Sequence, residues 1–182
     1  MEKHTEMIVS AAYIFDTEGF RGVGIDRLIA PSGVSTRTLY KHFGSRDGLV
    51  LAVLKARHQT FMNQLIAEYS DEDPVGSIFD TQRNWMVEHG ARGCMLLRAR
   101  SEYASANDEI VSLVHAQKNE FRGEISRRVR SALGQDDEGL CCQIWLLFEG
   151  AVASAAIASA SVTDNAKDAA LLLIASAKGR NL

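Results

Sequence analysis

The sequence predicts an all-α protein of about nine helices: an N-terminal three-helix domain followed by a C-terminal helical bundle. Only two prolines, Pro31 and Pro74, interrupt the 182 residues, and proline is the strongest local breaker of a helix. Apolar residues recur three and four positions apart along most of the chain, and no run alternates with period two for long enough to indicate a strand. The hydrophobic content of 46% and charged content of 24% are ordinary for a globular protein with a sizeable core.

The N-terminal domain begins with one long helical pattern and one short one. The first is an apolar stripe that ends before Gly19 and consists of Ile8, Ala11, Ala12 and Phe15. The second, at Ile25, Leu28 and Ile29, repeats the spacing over a shorter length and is stopped by Pro31.

A third short helix follows, with Ser35 as its N-cap. Leu39 and Phe43 lie four residues apart and are expected to face inward. The remaining positions face outward and carry small polar or basic side chains: Thr36, Arg37, Thr38, Tyr40, Lys41 and His42.

The rest of the chain predicts one connecting helix and five body helices. The connecting helix runs from the Ser45 cap to about Tyr69, and we place the domain boundary inside it, near Leu54. This gives a helix-turn-helix domain at residues 1–54 and a ligand-binding and dimerisation domain at residues 55–182. The body helices are expected at about 74–89, 92–105, 108–133, 137–161 and 164–178.

Charge is distributed unevenly along the chain. The net charge is -3, yet the segment from Arg21 to His58 holds seven Lys or Arg against two Asp, which leaves about -8 for the remainder. A basic head on an acidic body suits a protein that contacts a polyanion at one end only.

The segment from Ile25 to Phe43 has the form of a helix-turn-helix, with Gly33 at the turn. Its second helix offers hydroxyl, guanidinium and imidazole groups, which can reach base edges and phosphates in the major groove of double-stranded DNA. A basic helix alone is more often a solvated face. The turn glycine, the capping serine and the short length together favour DNA recognition.

Five blocks in this region resemble the N-terminal domain of the TetR-type repressors over residues 6–54. The blocks are Gly19-Phe20, Ile25-Asp26-Arg27-Leu28-Ile29-Ala30, Gly33-Val34-Ser35, Thr38-Leu39-Tyr40-Lys41-His42-Phe43 and Ser45-Arg46-Asp47-Gly48-Leu49. The resemblance implies a homodimer that binds a short pseudo-palindromic operator and releases it when a small molecule enters the body. The body is similar in architecture only.

The resemblance also implies which residues contact DNA. They lie on the third helix, at its flanks and at the start of the connecting helix: Ser35, Thr36, Arg37, Thr38, Tyr40, Lys41, His42 and Arg46. Arg46 matches a frequent phosphate contact of the family. Gly24 departs from the pattern, since members often have a Thr or Ser there that caps the second helix and touches a phosphate.

Two features of the body concern dimerisation and ligand binding. Residues 150–159 carry almost no side-chain bulk, and with residues 169–177 they look like the helix pair that forms the family's dimer interface; a tightly packed core within one chain is the alternative. Bulky and polar side chains on the body helices are candidates for an unidentified small-molecule ligand: Trp85, Tyr103, Trp145 and Glu149. Arg98, Arg100 and Glu102 also interrupt apolar helices and could form a buried ion pair or a polar ligand handle.

Other function classes find less support. Cys94 follows Gly93 at a helix start, so a redox-sensing regulator is one alternative, although a free cysteine more often packs as a small hydrophobe, and Cys141 and Cys142 show no metal-site spacing. A helical adaptor is another alternative, which the polar face of the third helix disfavours. No nucleophile, metal or phosphate-loop motif indicates an enzyme, a metal or a cofactor. The apolar run 140–162 contains Gln143 and Glu149, so we expect no membrane span and a cytoplasmic protein.

Overall fold

The computed structural model describes residues 3–180. These residues form nine α-helices and no strand, which confirms the all-α class. The helices are α1 Lys3–Glu18, α2 Ile25–Ile29, α3 Thr36–Phe43, α4 Arg46–Ala67, α5 Gly76–His89, α6 Met95–Tyr103, α7 Asp108–Leu133, α8 Glu138–Ala155 and α9 Val162–Arg180. One 3-10 turn, Ala30–Ser32, follows α2.

Helix α8 ends earlier than the sequence indicated. The expected end was residue 161, whereas the helix stops at Ala155. The backbone N–H groups of Ile157 and Ala158 both turn back to the carbonyl of Ser154, at 3.0 Å each. The Ala- and Ser-rich run therefore closes into a turn instead of extending the helix.

The helices pack into two compact units. Among residues 3–180, the first contains residues 3–60 and 95–117, and the second contains residues 61–94 and 118–180. Helix α6 and the start of α7 thus belong to the same packing unit as α1, α2 and α3. These units are defined by packing alone. The boundary near Leu54 between a DNA-binding and a ligand-binding domain therefore stays a prediction.

The core of the first unit fixes α3 against α1 and α4. Leu39, the inward residue of α3, is fully buried, and so are Phe15 and Phe20, whose rings stack 4.9 Å apart. Burial of Leu39 leaves the opposite face of α3 directed outward.

The core of the second unit contains a buried arginine that the sequence pattern did not reveal. Arg128 on α7 is 1% exposed. Its guanidinium donates hydrogen bonds to the carbonyls of Leu65 (2.6 Å) and Pro74 (3.2 Å), and to the hydroxyl of Ser77 (2.8 Å). Its Nε lies 2.6 Å from the carboxylate of Glu124, which is also buried. One side chain therefore joins α7 to the end of α4 and the start of α5.

We expect Arg128→Ala to lower the free energy of unfolding by about 3–5 kcal/mol, because it leaves the Glu124 carboxylate and two carbonyls buried without this partner. Urea unfolding followed by circular dichroism measures the effect. Arg130→Ala is the matched control, since Arg130 and its partner Asp136 are both exposed. Equal stability losses in the two variants would contradict the assignment.

Candidate nucleic-acid interface

The turn between α2 and α3 has the geometry of a helix-turn-helix. Gly33 has φ 61°, a left-handed conformation that glycine adopts without strain. Ser35 then caps α3, its hydroxyl accepting a hydrogen bond from the backbone N–H of Thr38 at 3.2 Å. Gly24 precedes α2 and provides no side-chain cap. The capping serine expected from the sequence is therefore present, and the departure at Gly24 leaves α2 without a side-chain cap.

The outward face of α3 presents most of the predicted contact residues together. Ser35, Arg37, Tyr40, Lys41 and His42 are exposed. Thr36 and Thr38 are half-buried, and the hydroxyls of Thr38 and Ser35 lie 2.9 Å apart. The seven residues occupy a single turn-and-helix segment, whose side chains can reach one groove of a duplex.

The positive charge on this face is not neutralised by the protein. Across residues 3–180, neither Arg37 nor Lys41 forms an ion pair. Arg27 on α2 behaves differently: its guanidinium lies 2.6 Å from Glu18, and the hydrogen bond and charge of that carboxylate raise the pKa of Arg27. The cations of α3 remain available to phosphates, which are the main source of affinity in DNA binding.

The aromatic ring of His42 also contacts α1. The ring centroids of His42 and His4 are 5.8 Å apart in an edge arrangement, and His4 stacks on Phe43 at 4.9 Å. These contacts hold the end of α3 beside the start of α1.

Arg46 is placed differently from the other predicted DNA contacts. Its guanidinium donates to the carbonyls of Phe20 and Val23 and to the hydroxyl of Tyr103, the last at 2.8 Å. Four of its hydrogen bonds are therefore directed into the first unit. This arrangement gives Arg46 an anchoring position between α4, α6 and the loop that precedes α2.

Three of the four candidate ligand residues lie in the second unit. Glu149 and Trp145 are neighbours on α8, and the indole Nε1 of Trp145 donates to Oε1 of Glu149 at 3.2 Å. Lys118 on α7, which the sequence did not single out, lies 2.5 Å from the same oxygen. The other carboxylate oxygen, Oε2, is buried and has no hydrogen-bond partner among residues 3–180.

Lys118 keeps its charge in this half-buried position. Burial opposes the charged ammonium, but the sulfur of Cys94 and the carboxylate of Glu149 outweigh it and raise the pKa of Lys118. The ammonium of Lys118 and the carboxylate of Glu149 thus form an ion pair in the second unit, within electrostatic reach of the sulfur of Cys94.

Trp85 belongs to an aromatic cluster in the same unit. Its ring packs edge-on against Phe61 at 5.2 Å and stacks on His89 at 3.8 Å. Tyr103, the fourth candidate, belongs to the first unit, where it is 3% exposed and its hydroxyl bonds to Arg46 and Asp47. Its polar group is used within that unit.

Arg98 and Glu102 act on the backbone of α1 and the loop after it. Arg98 donates to the carbonyl of Asp16 at 2.7 Å, and Glu102 accepts from the N–H groups of Phe20 and Arg21. The sequence allowed two roles for Arg98 and Glu102, a polar contact to a ligand or a buried ion pair. The partners are 82 and 81 residues away, which local patterns do not reveal.

Within residues 3–180, every helix is too short or too polar to cross a lipid bilayer.

Comparison with known proteins agrees with the helix-turn-helix geometry. Residues 8–53 match the model of the bacterial regulatory proteins of the tetR family. The chain is 30% identical over 130 residues to the HTH-type transcriptional repressor BdcR of Escherichia coli K12, and 37% identical over 57 residues to the HTH-type transcriptional activator FasR of Mycolicibacterium smegmatis. These matches cover 68% and 31% of this chain, but only 66% and 26% of the two relatives.

Solved structures share the fold over nearly the whole chain. A TetR-family transcriptional regulator from Streptomyces coelicolor superposes with a TM-score of 0.89 at 23% identity, covering 97% of this chain and 96% of its own. A TetR transcriptional regulator from Chloroflexus aurantiacus has a TM-score of 0.81 at 22% identity, covering 95% and 94%. The match of residues 8–53 to the family model and the 30% identity to BdcR, on a chain with this fold, show that the chain belongs to the tetR family of bacterial regulatory proteins.

Proposed function

We propose that the protein is a dimeric repressor that inserts α3 into the major groove of a pseudo-palindromic operator. The observation that carries the proposal is the outward face of α3, where exposed polar side chains accompany two cations that have no acidic partner in the described part of the chain. Base edges would be read by Arg37 and the threonines, while Tyr40, Lys41 and His42 would reach phosphates. A twofold dimer would place two such helices about 34–36 Å apart, one turn of DNA.

The first test removes side chains from α3. An operator is obtained by selecting binders from random duplexes, and Arg37→Ala combined with Tyr40→Ala is expected to weaken operator binding by more than about tenfold, because base and phosphate contacts are lost together. Fluorescence anisotropy measures the affinity, and light scattering checks the dimer. Arg130→Ala, an exposed arginine on α7, should leave affinity unchanged. Wild-type affinity in the double variant would refute the role of α3.

The dimer interface is proposed on α8 and α9. Exposed small and apolar residues follow one face of α8 at helical spacing: Leu146, Gly150 and Ala153. On α9, Leu172 is 72% exposed and Ala175 is exposed beside it. Large exposed apolar side chains on small-residue helices favour close packing against another chain.

We expect Leu146→Glu combined with Leu172→Glu to convert the dimer to a monomer, because four carboxylates would be buried across the twofold axis. Sedimentation velocity measures the mass, and operator affinity should fall with it since the two α3 helices no longer bind as a pair. Val87→Glu is the matched control: Val87 is 77% exposed, on α5. A dimer of unchanged stability in the double variant would move the interface elsewhere.

We further propose that a small molecule binds in the second unit near Trp85, Trp145 and Glu149, and that its binding releases the operator. The unpartnered Oε2 of Glu149 supports a ligand with a hydrogen-bond donor. The aromatic rings around Phe61 support an apolar body on that ligand. The chain has two tryptophans, and both lie among these residues, so their fluorescence would report occupancy directly.

A second candidate is regulation by oxidation of Cys94, a half-buried cysteine that interacts electrostatically with the ammonium of Lys118. The thiolate is the reactive form of a cysteine. The thiolate sulfur would attack one oxygen of a hydroperoxide, forming an S–O bond as the O–O bond breaks. The sulfur would lose two electrons to become a sulfenic acid, while the other peroxide oxygen would leave with those electrons and take up protons as water or an alcohol.

Hydrogen peroxide tests this candidate. We expect dimedone to label Cys94 after treatment, operator affinity to fall, and Cys94→Ser to abolish both changes. Cys142→Ser is the control, since Cys142 is an exposed cysteine on α8. Lys118→Met should slow the labelling, because the ammonium that interacts with the sulfur is lost. Labelling of Cys142 alone, or the same response in Cys94→Ser, would eliminate the redox candidate.

A further inference from the structure

The loop between α1 and α2 is bound by a carboxylate from α6. Oε2 of Glu102 accepts hydrogen bonds from the backbone N–H groups of Phe20, at 3.0 Å, and Arg21, at 2.8 Å. Oε1 is 3.2 Å from the same N–H of Phe20. Hydrogen bonds to an ionised acceptor are about twice as strong as neutral ones. The α6 side chain therefore holds two consecutive peptide groups in one orientation.

The shape of the loop is adapted to this contact. Gly19 has φ 82°, and a Cβ atom at this position would lie 3.2 Å from Oε1 of Glu102. Only glycine adopts that backbone conformation readily and also leaves room for the carboxylate. One turn earlier in α6, Arg98 donates to two carbonyls in the last turn of α1, those of Phe15 and Asp16. Helix α6 thus supplies a carboxylate that accepts from the N–H groups of the loop and a guanidinium that donates to carbonyls at the end of α1.

The opposite side of the loop is bound by Arg46 of α4. Its guanidinium donates hydrogen bonds to the carbonyls of Phe20 and Val23. It also donates to the hydroxyl of Tyr103, the residue next to Glu102. The loop is therefore held through its N–H groups by α6 and through its carbonyls by α4. It leads directly into α2, whose start at Ile25 has no side-chain cap.

We infer that Glu102 is a positioning residue for DNA recognition: by fixing the loop at Phe20 and Arg21, it sets the orientation of α2 and α3 without contacting DNA. The inference rests on the proposed reading of DNA by α3. It assigns a role in DNA recognition to a residue of α6, far along the chain from residues 8–53, which match the family model. A purely stabilising role for Glu102 is the competing explanation, and the two differ in what a folded variant does.

The sign of the effect separates positioning from general electrostatics. Removing an acidic side chain lowers the negative charge of the protein, so long-range electrostatics alone would strengthen DNA binding. Loss of positioning would instead weaken DNA binding. Because no phosphate contact is removed, the slope of log affinity against log salt should stay unchanged.

The experiment compares three variants of the full-length dimer on the selected operator, below the onset of thermal unfolding. Glu102→Ala removes all three hydrogen bonds and should weaken operator binding by about tenfold. Glu102→Gln keeps an oxygen that can accept from both N–H groups and should stay within about threefold of wild type. Glu102→Asp keeps the charge but is one methylene shorter, and should fall between them. Glu109→Ala, an exposed glutamate of α7 in the same unit, is the control.

A spectroscopic measurement reports the positioning itself. In two-dimensional amide NMR spectra, Glu102→Ala should shift the resonances of Phe20 and Arg21 and also those of α3, from Thr36 to Phe43. A stabilising role alone would change the melting temperature and leave the α3 resonances of the folded protein in place.

The outcomes are distinguishable. Folded Glu102→Ala with wild-type operator affinity and unchanged α3 resonances overturns the inference. If Glu102→Ala does not fold, Glu102→Asp decides, because it keeps the charge of the wild type: weaker operator binding with shifted α3 resonances supports the inference, and wild-type affinity with unchanged resonances overturns it. A wild-type protein that selects no operator contradicts the proposed function instead, before any Glu102 variant is measured.

Discussion

The loop between α1 and α2 depends on hydrogen bonds from outside its own segment. A helix end leaves backbone groups without partners, and a short loop that turns directly into another helix cannot satisfy them all locally. Here the carboxylate of Glu102 accepts hydrogen bonds from the N–H groups of Phe20 and Arg21. The guanidinium of Arg46 donates to the carbonyls of Phe20 and Val23. The orientation of α2, and with it the face that α3 presents, follows from these contacts.

The cations of the chain divide into two groups by how they are satisfied. Arg46 and Arg128 each bind several acceptors inside the protein, and Lys118 is paired with Glu149. Arg37 and Lys41 on α3 are exposed, and neither has an acidic partner among residues 3–180. A cation that is hydrogen-bonded inside the protein stabilises the fold. An exposed cation without an acidic partner can bind a polyanion. This difference supports the proposed binding surface on α3 more strongly than the net charge of -3 does.

Local patterns predicted most of the fold and the placement of α3, because caps and helical periodicity act over a few residues. The N-cap at Ser35 and the inward Leu39 follow from such signals, and both are present. Residues whose roles depend on distant partners could not be predicted in this way. Tyr103 looked like a ligand contact because it is a bulky residue on a body helix, yet its hydroxyl bonds to Arg46, 57 residues away. Lys118 gave no signal, since a lysine on a long helix is usually solvated.

The same long-range contacts bear on which part of the chain can form a stable DNA-reading domain. Met95, Ala99 and Tyr103 of α6 are buried in the core cluster that also contains Leu39. A segment of 54 residues would lack these side chains as well as Glu102, and domains near 60 residues bury too little surface to be more than marginally stable. The loop N–H groups of Phe20 and Arg21 would then turn to water, and Arg46 would lose Tyr103. The unit that holds α3 in place therefore requires α6, because the apolar contacts and the carboxylate that fix the loop come from the same helix.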